Sequence, residues 1–367
     1  MSGSGGDVES AVLTAAETGS RTRREEQTAS RLLNPGDLTW RRALGWISHD
    51  PFHLPAYAAL DASASGGAAC AFLHREPGGV LLLPLVLRRV PGTPYLDATS
   101  PYGYSGPVAT SLCPALWSRA VCSMQEVLGD RGVISLFVRL HPLREVPLDA
   151  LREAGDLVEH GCTVSVDLTQ DPQASFARLS HGHRGGARAF SRSGMQVVFD
   201  EPDHWQHWEQ AYRQNMARVG ASDHYLFGRA YFQRLRRCLG TELHLATAVA
   251  TDGMVAGGLV FFAHDGLLEH FLVGVKDAYL RGNVAAGLYL ALQAWGRERG
   301  ATVQHLGGGV GGVEDSLFRF KAAFSDRRHP FRTWRVVVDE QACARLTAPG
   351  VDSGYFPAYR ATASGDA

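Results

Sequence analysis

The stretch from Glu242 to Ala278 limits the possible folds more than any other. It reads as three apolar runs, ELHLATAVATDG, MVAGGLVFFAHDG and LLEHFLVGVKDA, joined at Asp252-Gly253 and Asp265-Gly266. Asp-Gly supplies the positive-φ residues that tight hairpins need, so the runs predict an antiparallel meander of three strands. Two helices precede it, HWQHWEQAYRQNMARVG and GRAYFQRLRRCLG. A helix over NVAAGLYLALQAWGRERG, a strand TVQHLGGG and a last strand FRTWRVVVDE follow. Helices ahead of an antiparallel meander, with a helix and more strand behind it, predict a mixed α/β unit and not a doubly wound one.

The N-terminal half has the same order of elements without a repeat in sequence. A helix near Ala56 precedes two strand-like runs, AACAFLHRE and GVLLLPLVLRRV, which Pro77-Gly78-Gly79 turns into a hairpin. The loop TSPYGYSGPVAT then presents Tyr102 and Tyr104, and a helix from about Pro114 to Leu128 leads to strands GVISLFVRL and GCTVSVDLT. At 367 residues the chain exceeds what one core usually covers, so two domains are expected, residues 34–160 and 161–339. Residues 1–33 and 361–367 carry few bulky apolar side chains and are expected to be disordered tails. Between Asp171 and Asp200 there is room for one helix and one strand.

The first thirty residues are polar and no apolar run reaches spanning length, so a cytoplasmic protein without a membrane partner is expected. Six cysteines stand singly, without C-x-x-C pairs, and read as reduced thiols. A formal net charge of -1 gives no global attraction for nucleic acid, so a polyanion must be gripped by a local patch. Arg184, Arg188 and Arg192 would line one helix face, though Gly185 and Gly186 interrupt it. Further basic sets stand at Arg234, Arg236 and Arg237, and at Arg327, Arg328, Arg332 and Arg335. Each set reads either as a solvated face or as a contact for RNA. His181, His183, His204 and His207 have no acidic or cysteine partner at ligand spacing; they read as surface residues, and no metal is expected.

The run HLGGGVGGVEDSLFRFKAAFS, His305 to Ser325, carries the most chemistry. Leu317, Phe320 and Phe324 recur at helical spacing and predict a buried stripe, with Lys321 on its flank. The glycines satisfy G-x-G-x-x-G, but no parallel βαβ unit precedes them, and Val313 stands where a P-loop needs lysine. Gly308 and Gly309 read either as a flexible connection or as backbone open to a donor. Arg281-Gly282-Asn283-Val284-Ala285-Ala286-Gly287 opens a predicted helix with spaced glycines, where free backbone N–H groups can take a phosphate, which makes Arg281 and Asn283 donor-side candidates.

HDPFHLPAYAAL, SPYGYSGPV, the run from His270 through GLYLALQAWGRERGATVQHLGGG, and DSLFRFKAAFS resemble the FemABX family of aminoacyl-tRNA-dependent transferases over residues 40 to 340. The resemblance implies two tandem domains of the GNAT fold, each a mostly antiparallel mixed sheet flanked by helices, the first completed by residues of about 340–360. It implies transfer of an aminoacyl group from charged tRNA to an amine, with aminoacyl-tRNA as co-substrate and no bound cofactor. The family's Phe-Lys pair falls on Phe320 and Lys321, where a lysine could stabilise an oxyanion or the terminal phosphate of the tRNA. Tyr102, Tyr104, His53 and Tyr57 are candidates for the acceptor side, and Arg184 for the tRNA. The acceptor implied is a small peptide or nucleoside-antibiotic intermediate. The alternatives are an acyl-CoA-dependent N-acyltransferase, a cell-wall precursor aminoacyltransferase, and a non-catalytic binding protein on the same fold.

Overall fold

The computed structural model describes residues 28–221, 225–348 and 354–361. The first half runs β1 (Ala29–Leu33), α1 (Leu38–Leu44), α2 (Pro55–Ser65), β2 (Ala68–Glu76), β3 (Gly79–Arg89), β4 (Leu96–Thr99) and β5 (Val108–Ala109). It continues through α3 (Pro114–Gly129), β6 (Val133–Arg139), α4 (Leu148–Arg152) and β7 (Asp156–Asp167). The second half opens with α5 (Pro172–Arg178), α6 (His181–Arg192), β8 (Gln196–Phe199), α7 (His204–Arg218) and α8 (Arg229–Leu239). Then come the meander β9 (Leu243–Val249), β10 (Val255–His264) and β11 (Leu267–Val275), followed by α9 (Val284–Glu298), β12 (Val303–Gly307), α10 (Ser316–Ala322), β13 (Arg327–Val337) and α11 (Glu340–Leu346).

The described strands form one mixed sheet in the order β1-β2-β3-β4-β6-β13-β7-β12-β11-β10-β9-β8, with β5 attached to β3. Each half builds an antiparallel run and then crosses through a helix to a parallel neighbour, β4 to β6 through α3 and β11 to β12 through α9. The last strands are exchanged. Strand β7 pairs with β12 of the second half, β13 pairs with β6 of the first, and the two run antiparallel from Arg327↔Ser165 to Arg335↔Asp156. Residues 354–361 also return to the first half, where Tyr359 Oη bonds Ser135 Oγ at 2.7 Å and Arg360 pairs with buried Asp97.

Two expectations are corrected. Residues Ala29–Leu33, assigned to a tail, form β1 on the edge of β2 because Leu33 is buried against Trp40 and Leu82; residues 1–27 and 362–367 lie outside the described residues. Two helices, not one, fit between Asp171 and Asp200: the Asp171 side chain caps α5, the Ser180 side chain caps α6, and α6 runs unbroken through Gly185-Gly186.

One core, with Phe72, Trp117, Met124, Leu136 and Trp334, fills the space between α3, α4 and the first-half strands. A second, with Phe261, Leu288, Leu292 and Trp295, lies under α9. A third joins the halves, since Phe52 and Tyr57 pack with Trp208, Tyr212 and Phe232 of α7 and α8. The glycines of the meander let α7 lie close: a Cβ on Gly274 would sit 2.5 Å from the Tyr212 backbone nitrogen, and Trp208 Nε1 donates to Gly258 O at 3.1 Å. Helix α7 therefore lies tightly on one face of the meander.

Candidate functional site

Strand β12 ends at Gly307, whose φ of 74° bends the chain out of the sheet where the register with β7 slips. The glycines that follow are packed tightly. A Cβ on Gly308 would lie 3.0 Å from Cys162 O, and one on Gly309 would lie 2.0 Å from Val313 O. Asp315 stitches this connection, accepting from Val310 N at 3.1 Å and, as the cap of α10, from Phe318 N at 2.8 Å. Burial would raise the Asp315 carboxyl, but those backbone donors outweigh it and hold it below the usual range.

Helix α10 aims Lys321 inward, where Nζ donates to Gly308 O at 2.6 Å. A Cβ on Gly307 would be 3.3 Å from Lys321 Nζ and 3.6 Å from Tyr104 Oη, so the ammonium and the phenol flank the same α-carbon. Burial pulls the ammonium down to about 8, against the pull of Glu269 and Asp315. Burial also raises the Tyr104 hydroxyl well above its ordinary value, so it stays protonated and can donate. The stripe beside Lys321 differs from the expected one. Phe318 and Phe324 are buried, while Leu317 is 39% exposed. The helix ends at Ala322, so the 3.6-residue period from Leu317 is cut before it reaches Phe324, and the Asp315 cap turns Phe318 inward instead. Phe320 packs edge-on against Tyr289 and Phe324.

A buried polar cluster continues from this point across the joint. Parallel pairing of β11 and β12 sets Glu269 opposite His305, and Glu269 Oε2 lies 2.7 Å from His305 Nδ1. His141, just after β6, brings Nε2 to 3.8 Å from Glu269 Oε2 and 3.8 Å from Asp50 Oδ2. Asp50 is held by His53 Nδ1 at 3.0 Å and by Arg144 Nε at 3.0 Å, and His53 Nε2 donates to Gly106 O at 2.9 Å. Burial raises Glu269 against the pull of His305, and it pushes His141 down to about 3. For Asp50 the same burial is overcome by His53, His141 and Arg144, which keep it ionised. Within the cluster, His141, Glu269 and His305 each bring one ligand-type atom within 4.8 Å of the other two.

The fold has relatives among solved structures. FemX superposes with a TM-score of 0.61 at 12% identity, over 78% of this chain and 90% of that one. The fold is FemX-like. L-PGS from Bacillus licheniformis matches at 0.56 and 13% identity over 84% and 94% of the two chains. The C-terminal domain of a putative lysylphosphatidylglycerol synthetase from Agrobacterium fabrum matches at 0.53 and 15%, over 81% and 90%. At such identities the likeness establishes the FemX-like fold and nothing finer. No family model matches the chain, and no curated protein matches it in sequence.

Within the FemX-like frame the candidate residues separate into groups. Lys321, Gly308, Gly309 and Tyr104 meet at the end of β12, whereas Phe320 faces away onto Tyr289, Phe324 and His183; Tyr104 reaches the polar cluster through ring contacts with His141 and His305. His53 supports that cluster through Asp50. Tyr57 and Tyr102 stand behind it: Tyr57 Oη donates to Tyr102 O at 2.9 Å, and the Tyr102 ring packs on Phe227 and Phe271. Arg281 and Asn283 lie at the start of α9, which α6 covers. A Cβ on Gly186 would be 2.9 Å from Asn283 Oδ1, and Phe190 lies on Gly287, where a Cβ would be 2.6 Å from the ring. Arg184 donates to Ala177 O and Leu179 O, so its guanidinium closes the turn between α5 and α6.

The other basic sets are partly occupied. Arg327 pairs with Asp167 at 2.8 Å and Arg332 with Glu159 at 2.9 Å, whereas Arg236 and Arg237 line a surface groove of about 770 Å³ with Trp205 and His244. Among the histidines weighed as a group, His183 is half-buried, with its ring 4.5 Å from that of Phe324, and His204 bonds Thr247 at 2.7 Å. Asp50, His141, Glu269 and His305 were not singled out in the sequence. The signal present was a lone carboxylate inside the apolar run LLEHFLVGV, and a histidine closing GVISLFVRLHP.

Proposed function

We propose that the protein is an acyltransferase that uses aminoacyl-tRNA to form an amide on the amine of a small acceptor. The observation that carries this reading is Lys321, a partly desolvated ammonium beside Gly308 O and the Tyr104 hydroxyl at the joint of a FemX-like fold. In aminolysis of an ester, the amine nitrogen attacks the carbonyl carbon and charge grows on the carbonyl oxygen. The C–O bond to the ribose then breaks, and the proton lost by the amine ends on the departing hydroxyl. A fixed cation and a fixed hydroxyl stabilise the charged oxygen, and positioning supplies much of the remaining rate. Arg236 and Arg237 line a surface groove and offer positive charge that suits an RNA backbone. Helix α6 lies across α9 at Gly287, while Arg281 and Asn283 at the helix start are exposed, so the donor assay decides between tRNA and acyl-CoA.

The test is transfer of labelled amino acid from a panel of charged tRNAs to candidate amines, with and without RNase, beside acyl-CoA donors. RNase-sensitive transfer supports the reading. Transfer that requires acyl-CoA replaces it with the N-acyltransferase, and no transfer from either donor leaves a binding protein. Lys321→Met is expected to lower kcat by roughly 10²- to 10³-fold, the cost of one oxyanion-stabilising donor, with the fold intact by circular dichroism.

A further inference from the structure

His141, Glu269 and His305 come from three elements, the turn after β6, strand β11 and strand β12. One ligand-type atom from each lies within 4.8 Å of the other two, and all three residues are buried. Their side chains are no more than 2% exposed, yet His141 Nε2 and His305 Nε2 have no hydrogen-bond partner. An unpaired polar atom at such depth keeps the desolvation cost that a partner would offset. Two imidazole nitrogens left open beside one carboxylate are what a cation would satisfy. We propose that His141, Glu269 and His305 bind one divalent first-row transition metal ion.

Two imidazoles and one carboxylate are a donor set suited to zinc, iron(II), cobalt(II) or manganese(II), while calcium and magnesium prefer oxygen throughout. An ion with bonds of about 2.1 Å spaces its ligand atoms by roughly 3–3.5 Å. The 3.8 Å between Glu269 Oε2 and His141 Nε2 is already close to that spacing. The widest gap closes by roughly 1 Å through rotation of the Glu269 side chain and the His305 ring, while the parallel register of β11 and β12 keeps their backbones fixed. Asp50 stands 3.8 Å from the same His141 nitrogen as a second carboxylate, fixed by His53 and Arg144, and adds negative charge outside the ligand set. The ion would tie His141 of the first half to two strands of the second, and the inference holds whichever acyl donor is used.

Tag-free full-length protein is stripped with chelator, reconstituted with Zn²⁺, Co²⁺ or Mn²⁺, or anaerobically with Fe²⁺, desalted, and assayed for metal and thermal midpoint. About one ion per chain is expected for at least one metal, with a rise of about 4 °C at a hundredfold excess over Kd. Glu269→Gln and His141→Gln are expected to lose both the ion and the shift. Fewer than about 0.1 ion per chain for all four metals, with an unchanged midpoint, overturns the site, and so does full metal retention by both variants. Should a variant fail to fold, the stripped and reconstituted wild type decides alone. Neither readout involves transfer, so this inference and the donor reading fail separately.

Discussion

Lys321→Met gives a pH signature that can be worked from the structure. Burial lowers the Lys321 ammonium from 10.5 to about 8. Between those values the unfolded chain holds the proton and the folded chain does not, so stability rises with pH across that window. Below about pH 8 both states are protonated and the penalty is present in full. A shift of this size has a ceiling of about 3.4 kcal/mol at 1.36 kcal/mol per unit; the residue is only half-buried, so screening reduces it to about 2 kcal/mol. The Met variant also frees the Gly308 carbonyl, which moves the offset between the two proteins but not its slope. Guanidinium unfolding of both proteins from about pH 7 to about pH 10, with chelator present, isolates the slope. Buried tyrosines that destabilise the fold near pH 10 are common to both and cancel. The wild type is expected to gain about 2 kcal/mol on the variant across the range. A difference that stays flat refutes the claim that Lys321 is held partly dry.

Gly287→Val drives a side chain into the Phe190 ring, 2.6 Å from where a Cβ would stand. It is expected to cost about 1–3 kcal/mol by overpacking, and adding Phe190→Ala should recover part of that; additive losses would show that α6 does not rest on α9 there. Arg360→Ala removes one of the two arginines on buried Asp97, the other being Arg88 at 2.8 Å. It is expected to cost about 1–3 kcal/mol in denaturant, and a change below about 0.5 kcal/mol would mean the returning segment contributes nothing to the first half.

The meander was legible because its turns are local: Asp-Gly pairs dictate a backbone shape within four residues and so lay each apolar run beside the next. Lys321 was legible for a similar reason, since the Phe-Lys pair and the glycines sit within one short stretch. Glu269 and His305 are 36 residues apart and meet only through the register of a parallel pair, which no turn specifies. His141 reaches them across the joint from the other half. The Leu317 stripe failed because periodicity assumes a helix long enough to use it, and α10 has seven residues. The exchange of β7 and β13 was invisible because either strand has the same apolar pattern whichever partner it takes.

That exchange sets a timetable for the chain as it leaves the ribosome. Strand β6 must wait for β13, and Trp334 Nε1 donates to Leu151 O across 183 residues of sequence. The first half therefore emerges with an unpaired inner edge beside its core, exposed to mispairing until nearly the whole chain is made. Truncation anywhere before Arg327 would remove the strand that separates the two halves of the sheet, and the joint holding Lys321 and Tyr104 would be among the last parts of the molecule to form.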